Sequence, residues 1–348
     1  MLLVVPRHMQ AAFSVPPRCE VHWIRARWRW HPFLASVVFF PSLLAAARRF
    51  KPDVIRVHSP ACLGLASLAV SRLTGIPTVG SFHHRFERFR GARLTEKHLL
   101  SRFSHVVTVS EFSRHQLVEL DEALSAKSSV IYNGVSSQFG PRAETADWKQ
   151  RLGLRPDEPL FVTAGALIAR KNIEWLLRVM RAWAEAGNPG LLVVIGEGRE
   201  RRRLLRSIHE QGLTDRVALW GAVDDETLVS VIRAADAFLS SSLMEGFGLA
   251  VAEALACGTP TLVSDRGALP EVVRHGRTGF VLPLDRGLEP WLEAMRQVVT
   301  DPDARRTMGA EAARDAAERF DWDRAATELT HVYEHVVRAV EGEVAIGV

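Results

Sequence analysis

The chain has 348 residues, 47% of them hydrophobic and 24% charged, with 44 Lys/Arg against 40 Asp/Glu. These proportions exclude a disordered, fibrous or integral-membrane chain, and at about 100–200 residues per domain the length predicts two domains. The net charge of +4 conceals an asymmetry: residues 1–150 carry 20 basic against 10 acidic side chains and residues 151–348 carry 24 against 30, so the first part suits an anionic partner.

The opening MLLVVPRH holds five apolar residues before Pro6, too few for a signal-peptide core. The most apolar stretch, His31 to Ala47, is interrupted by Pro32 and Pro41 and falls short of the roughly 20 residues that span a bilayer. Its flanks alternate Trp23, Trp28 and Trp30 with Arg25, Arg27 and Arg29, and Arg48, Arg49 and Lys51 follow. Two readings stand: an exposed strand followed by an amphipathic helix packed on a sheet, or the same elements with peripheral contact to an anionic membrane. Cys19, Cys62 and Cys257 are far apart and odd in number, so they fit neither a disulfide framework nor a zinc site. A reducing, cytoplasmic location is expected, at the inner face of the cell membrane if contact occurs.

Short β-branched runs then alternate with helical patterns. A helix over Leu43 to Phe50 precedes a strand at 53–58; a helix at 61–73 precedes strands at 78–82, 105–110 and 129–133. The polar segment from Gly140 reads as a linker. Beyond it, strands at 160–163, 191–195, 217–220, 237–240 and 261–263 alternate with helices near 173–186, 199–211, 225–234 and 248–256. Nearly continuous apolar strands separated by helices imply parallel sheets covered on both faces. From Asp303 onward the pattern is helical, with an apolar stripe at Leu329, Val332, Tyr333, Val336 and Val337.

In open α/β sheets ligands sit beyond the carboxyl ends of the strands, so the residues after each strand carry the functional reading. The densest cluster is Ser240-Ser-Ser-Leu-Met-Glu245-Gly-Phe-Gly248-Leu-Ala-Val-Ala-Glu253. A glycine turn leading into a helix aims backbone N–H groups at an anion. Glu253 stands among Ala, Val and Leu, where a carboxylate needs a hydrogen-bonding partner, and ligand hydroxyls supply one. The plain alternative is an exposed helix Glu253 with Glu245 as a cap. A second cluster, Thr163-Ala-Gly165-Ala-Leu-Ile-Ala-Arg170-Lys171-Asn172, places two cations at a helix start, where they oppose the macrodipole unless an anion binds. Gly196-Glu-Gly198-Arg-Glu-Arg201 departs from the dinucleotide fingerprint at Arg201, which argues against a nicotinamide or flavin site. His83 and His84 end a strand and are candidates to face a cleft, although strand-end histidines are as often structural.

These residues resemble the retaining glycosyltransferases of family 4, from about Pro52 to Arg338. The most specific match is Glu245-Gly-Phe-Gly-(four residues)-Glu253, similar to the family's E-x7-E motif. Supporting segments are Ile195-Gly-Glu-Gly198, Ala256-Cys-Gly-Thr-Pro260, Leu269-Pro-Glu271, Gly276-Arg-Thr-Gly279-Phe, Val109-Ser110-Glu111 and Tyr132-Asn133-Gly134-Val135. The resemblance implies an α/β fold of two tandem Rossmann-like, doubly wound domains facing across a cleft (GT-B). Residues 1–140 would form an acceptor-side domain, 141–150 a linker, 151–319 a nucleotide-sugar domain, and 320–348 a helix returning to the first domain.

It further implies a nucleotide-diphosphate sugar as co-substrate, with no cofactor and no metal, and a lipid-linked or polysaccharide acceptor. Glu253 would hold the ribose hydroxyls, and Glu245 with the backbone of Gly246, Phe247, Gly248 and Leu249 the sugar and phosphates. Gly165, Gly196 and Gly198 would line the donor, and Arg170 and Lys171 would neutralise the leaving diphosphate. Backbone around Ala222 and Val223 would select the base. His83 would face sugar and acceptor, so the catalytic set is His83, Glu245 and Lys171. With no carboxylate nucleophile evident in the first domain, front-face attack is expected over a covalent route.

Two departures accompany the match. Ala166 follows Gly165 where the family commonly has Arg, and the front end resembles the family's second strand, so either the usual first strand, Gly-Gly loop and helix are missing or Met1 to Val5 takes the central place through a shortened connection. The leading function is therefore a metal-independent retaining hexosyltransferase; the alternative is a catalytically weak nucleotide-sugar-binding subunit supporting a partner enzyme. An epimerase or phosphorylase on the same fold lacks its own signature, and the basic charge comes without a nucleic-acid module.

Overall fold

A computed structural model describes residues 2–6, 20–24, 32–58, 60–83, 97–141 and 148–346. The chain forms two compact units, residues 1–131 with 326–348, and residues 132–325.

In the first unit, β1 (Leu2–Pro6) pairs in parallel with β2 (Glu20–Ile24). A separate parallel sheet contains β3 (Ile55–Val57), β4 (Thr78–Phe82), β5 (His105–Thr108) and β6 (Ser128–Val130), in that order. Strands β4 and β5 are buried throughout, as their apolar runs require of a sheet covered on both faces. Val57, Val70, Phe82, Phe103, Val106, Leu117 and Leu124 form the core. The preceding helix runs Pro32–Phe50 rather than starting at Leu43. Pro32 takes the first position, where its missing N–H is no loss, and Pro41 is carried inside the helix. Its outer face leaves Val37, Val38, Pro41 and Ala45 exposed next to Arg48 and Arg49. The side chains at 19, 23–30, 62 and 84, singled out above, lie outside the described residues; Cys257 is buried and in no disulfide.

The second unit carries one six-stranded sheet: β7 (Leu160–Ala164), β8 (Leu191–Ile195), β9 (Val217–Gly221), β10 (Ala237–Ser240), β11 (Thr261–Ser264) and β12 (Gly279–Leu282). All pairs are parallel and the spatial order is β12-β11-β10-β7-β8-β9. β12 was not foreseen, because its short Gly-Phe-Val-Leu run follows a Gly-Arg-Thr turn. The chain winds outward in one direction through β9, returns to the centre, then winds the other way, so strand order reverses between β7 and β10. That reversal is where a doubly wound sheet opens a crevice for ligands. Phe161, Leu176, Met180, Trp183, Val194, Trp291 and Met295 fill the core beneath.

The boundary between units falls at 131/132, ahead of the polar 141–150 segment. Tyr132 explains this: its ring packs against Phe247 (6.0 Å between centroids) and edge-on to Phe320 (5.9 Å). Arg233 then holds the carbonyls of Gln138 and Gly140. The last helix, Trp322–Ile346, starts in the second unit and belongs to the first from Ala326 onward. No helix among the described residues is long and apolar enough to cross a membrane.

Candidate active site

The loops leaving β7 and β10, on either side of the reversal, are laced together. After β7 the chain passes Gly165, makes a 3-10 turn over Ala169–Lys171 and enters helix Ile173–Glu185 through Asn172 in the left-handed conformation (φ 51°). After β10 come Ser241 and Ser242, both buried. Ser241 Oγ donates to the Asn172 carbonyl (2.8 Å), and Leu243 N–H donates to the Arg170 carbonyl (2.8 Å).

These contacts deliver Arg170 and Lys171 to Glu245. Lys171 Nζ lies 2.7 Å from Glu245 Oε1 and Arg170 Nη1 lies 2.9 Å from Oε2, while Ser242 Oγ donates to Oε1 (2.8 Å). Glu245 is buried, whereas Lys171 and Arg170 keep 21% and 34% of their side chains exposed, so the cations still present an outer face. Burial would raise the Glu245 pKa, but the ammonium, the guanidinium and the hydroxyl outweigh it and hold the carboxyl below its ordinary value. The two cations are therefore not an exposed pair opposing a helix dipole. They stand one turn before the helix, already neutralised in part by a carboxylate.

The glycines let backbone approach backbone. A Cβ on Gly196 (φ +133°) would meet the Gly165 carbonyl oxygen at 2.0 Å, and one on Gly198 the Leu167 oxygen at 2.3 Å. Gly165 N–H donates to the Ile195 carbonyl (2.9 Å) and Leu167 N–H to the Glu197 carbonyl (2.9 Å), so the 165–167 and 196–198 loops pack as one layer. Gly196 and Gly198 thus have a packing reason to be glycine, whatever else they line.

Gly248 (φ +99°) caps helix Leu249–Ala256 without any side-chain cap bond; Val251 N–H already donates to the Gly248 carbonyl (2.9 Å), which leaves the Leu249 and Ala250 N–H groups available to an anion. Phe247 is buried with its ring packed against Tyr132 and Phe320. Leu249 keeps 45% of its surface exposed. On the same helix Glu253 forms no hydrogen bond or ion pair among the described residues. Burial, and then the negative charge of Asp225, push its pKa up to about 7. Asp225 opens the helix after Ala222 and Val223, so this carboxyl lies near the turn beyond β9.

A larger open groove of about 560 Å³ includes Arg274, His275 and Arg319. Both arginines are bound to the single carboxylate of Asp315, at 2.6 and 2.7 Å. Between β7 and β10 a cavity of about 10 Å³, room for about one water, is lined by Thr163, Gly165, Lys171, Ser240 and Ser242. Among the described residues no three His, Cys, Asp or Glu side chains converge as a metal site requires. In the first unit, His83 follows β4 with its side chain exposed, and its carbonyl accepts from Ser113 Oγ (2.5 Å).

Two family profiles match the chain: "Glycosyltransferase Family 4" over residues 3–139 and "Glycosyl transferases group 1" over 144–315. The chain belongs to the group 1 glycosyltransferases. An uncharacterized glycosyltransferase of Methanocaldococcus jannaschii is 30% identical over 234 residues, 66% of this chain and 59% of that protein. The chain thus spans about three fifths of that relative's length. Sucrose-phosphate synthase from Thermosynechococcus elongatus has a TM-score of 0.81 at 23% identity, covering 94% of this chain and 86% of that one. Anabaena HepE in complex with UDP-glucose has a TM-score of 0.74 at 20% identity, covering 93% and 86%. These likenesses establish the fold, two parallel-sheet α/β units of GT-B type.

Proposed function

We propose that the chain is a retaining, metal-independent hexosyltransferase that uses a nucleoside-diphosphate sugar and a glycan or lipid-linked acceptor. The observation that carries this reading is the arrangement at the reversal of the second sheet. A buried Glu245 organises Arg170 and Lys171 beside a helix N-terminus with no side-chain cap, and Glu253, without a partner among the described residues, stands on that same helix. The cations and the N–H groups suit a diphosphate, and Glu253 suits two adjacent ribose hydroxyls. The bound sugar nucleotide of the HepE complex supports the same donor class here.

In this reading the diphosphate leaves toward Arg170 and Lys171, which are in place before charge develops and need little reorganisation when it does. Glu245 keeps both cations positioned and, with the backbone of Gly246 to Leu249, orients the sugar. The departing phosphate oxygen takes the acceptor proton on the face where the acceptor attacks. His83 of the first unit supports the acceptor side. Lipid-linked acceptors are favoured by the exposed Val37, Val38 and Pro41 beside Arg48 and Arg49.

Thermal shift with UDP-, GDP- and ADP-sugars tests the donor class, because a ligand present at 100 times its Kd adds about 2.7 kcal/mol of apparent stability. One nucleotide series is expected to raise Tm clearly, and no response to any of them would overturn the reading. Donor hydrolysis, with Glu245→Ala as control, separates an active enzyme from a binding subunit.

A further inference from the structure

The first unit contains an arginine flanked by two histidines that the donor chemistry does not use. In β3 and β4, Arg56 pairs in register with Val79. Side chains alternate along strands, so Arg56 and His58 share one face of the sheet with Val79, Ser81 and His83. Tyr333 of the last helix covers that face: Arg56 Nη1 donates to Tyr333 Oη (3.1 Å) and Nη2 to Ser81 Oγ (3.2 Å). Arg56 Nε is buried and has no partner, and Arg56 forms no ion pair among the described residues.

Among the described residues this half-buried guanidinium has as partners two neutral hydroxyls and the Tyr333 ring, whose centroid lies 6.0 Å away, and no carboxylate, which is unusual because buried charge is ordinarily paired. Here its neighbours His58 and His83 supply no negative charge. His58 keeps an exposed side chain, yet partial desolvation, then Arg56, then His83 depress it to a pKa of about 4. The cluster lies at the carboxyl ends of β3 and β4, the edge at which an open parallel sheet presents ligands.

We propose that Arg56, His58 and His83 form a subsite for a phosphate ester group carried by the acceptor. Each terminal nitrogen spends one proton on a hydroxyl and keeps a second, so the guanidinium retains paired donors of the kind that suits phosphate oxygens. An anion there compensates the charge that the protein leaves unmatched and allows His58 to take a proton. The assignment of this phosphate to the acceptor rests on the glycosyltransferase reading; the anion site itself does not.

The test is a titration of the full chain with inorganic phosphate, glycerol 3-phosphate and glycerol, following the imidazole resonances of His58 and His83. Both phosphates are expected to shift His58 saturably and glycerol is not. Arg56→Met is expected to weaken phosphate about tenfold at His58, and Arg56→Lys less, since it restores charge without the fork. Should Arg56→Met fail to fold, His58→Asn keeps the guanidinium and is read at His83, with a severalfold loss expected. An unmoved His58, or equal affinity in Arg56→Met, overturns the site; binding of free phosphate with refusal of glycerol 3-phosphate overturns the acceptor assignment. UDP-glucose is titrated in parallel and read by Tm. Its failure in the wild type would count against the donor reading while His58 still reported the anion site.

Discussion

Both units present cations near the carboxyl ends of parallel strands, but they hold them in opposite ways. In the second unit Arg170 and Lys171 are tethered to a buried carboxylate, and the loop that supplies it is anchored by Phe247 in an aromatic cluster. In the first unit Arg56 is held by two hydroxyls and the Tyr333 ring, and among the described residues no carboxylate pairs with it. Internal compensation keeps a site rigid and its charge low until a ligand competes for the cations. An uncompensated site is less costly to disturb, but its charge answers directly to whatever binds.

The difference is broken most severely at the anchor. Phe247→Ala removes a buried ring and is expected to cost about 3–5 kcal/mol in chemical denaturation. It should also weaken donor binding, because the 245–248 turn loses its seat. Glu245→Ala comes next. It leaves two cations facing each other without their carboxylate, a loss of about 2–4 kcal/mol given that both remain partly exposed. Donor hydrolysis should fall with it. If Glu245→Ala melted like the wild type, the carboxylate would not be organising the pair.

Glu253 sharpens the comparison through pH. Its folded pKa of about 7 lies above the ordinary 4.5, so the native state binds the proton more tightly than the unfolded chain. Its contribution to stability is therefore full below pH 4.5 and is lost as pH rises through 7, a change of at most about 3 kcal/mol. Glu253→Gln should flatten that part of the stability profile. A donor whose ribose hydroxyls need the carboxylate must expel the proton, so calorimetry near pH 6.5 in buffers of different ionisation enthalpy should report proton release on donor binding.

The alternation of apolar strands and helices was legible because parallel strands buried on both faces need long apolar runs, as in Leu191–Ile195. Pro41 misled because a proline inside a helix is costly in isolation yet is tolerated here in a helix packed along the first unit. Glu245, Arg170 and Lys171 could be named from their motifs, but their pairing could not. It depends on β7 and β10 becoming neighbours across 75 residues, which is a property of strand order. Arg56 gave no signal at all, since one arginine in a short strand looks like a solvated surface residue until the register and the last helix enclose it.

The smallest expected effect tests the first unit most directly. Arg56→Met gives up two hydrogen bonds to hydroxyls and no ion pair, so its stability cost should be about 1–2 kcal/mol. The informative quantity is the titration of His58. With a folded pKa of about 4 against 6.5, this imidazole is neutral in the native state, and the stability that depends on its neutrality is present above pH 6.5 and lost as pH falls toward 4. Partial desolvation is the larger cause and survives the substitution, whereas the repulsion from Arg56 does not. The midpoint should therefore move up in Arg56→Met without reaching 6.5, and the acid limb of the stability profile should start to fall at higher pH. Saturating phosphate should raise the midpoint further in the wild type than in the variant. If the His58 titration were the same in both proteins, Arg56 would not act on that imidazole, and the contrast between a compensated and an uncompensated site would reduce to a single arginine bonded to a tyrosine.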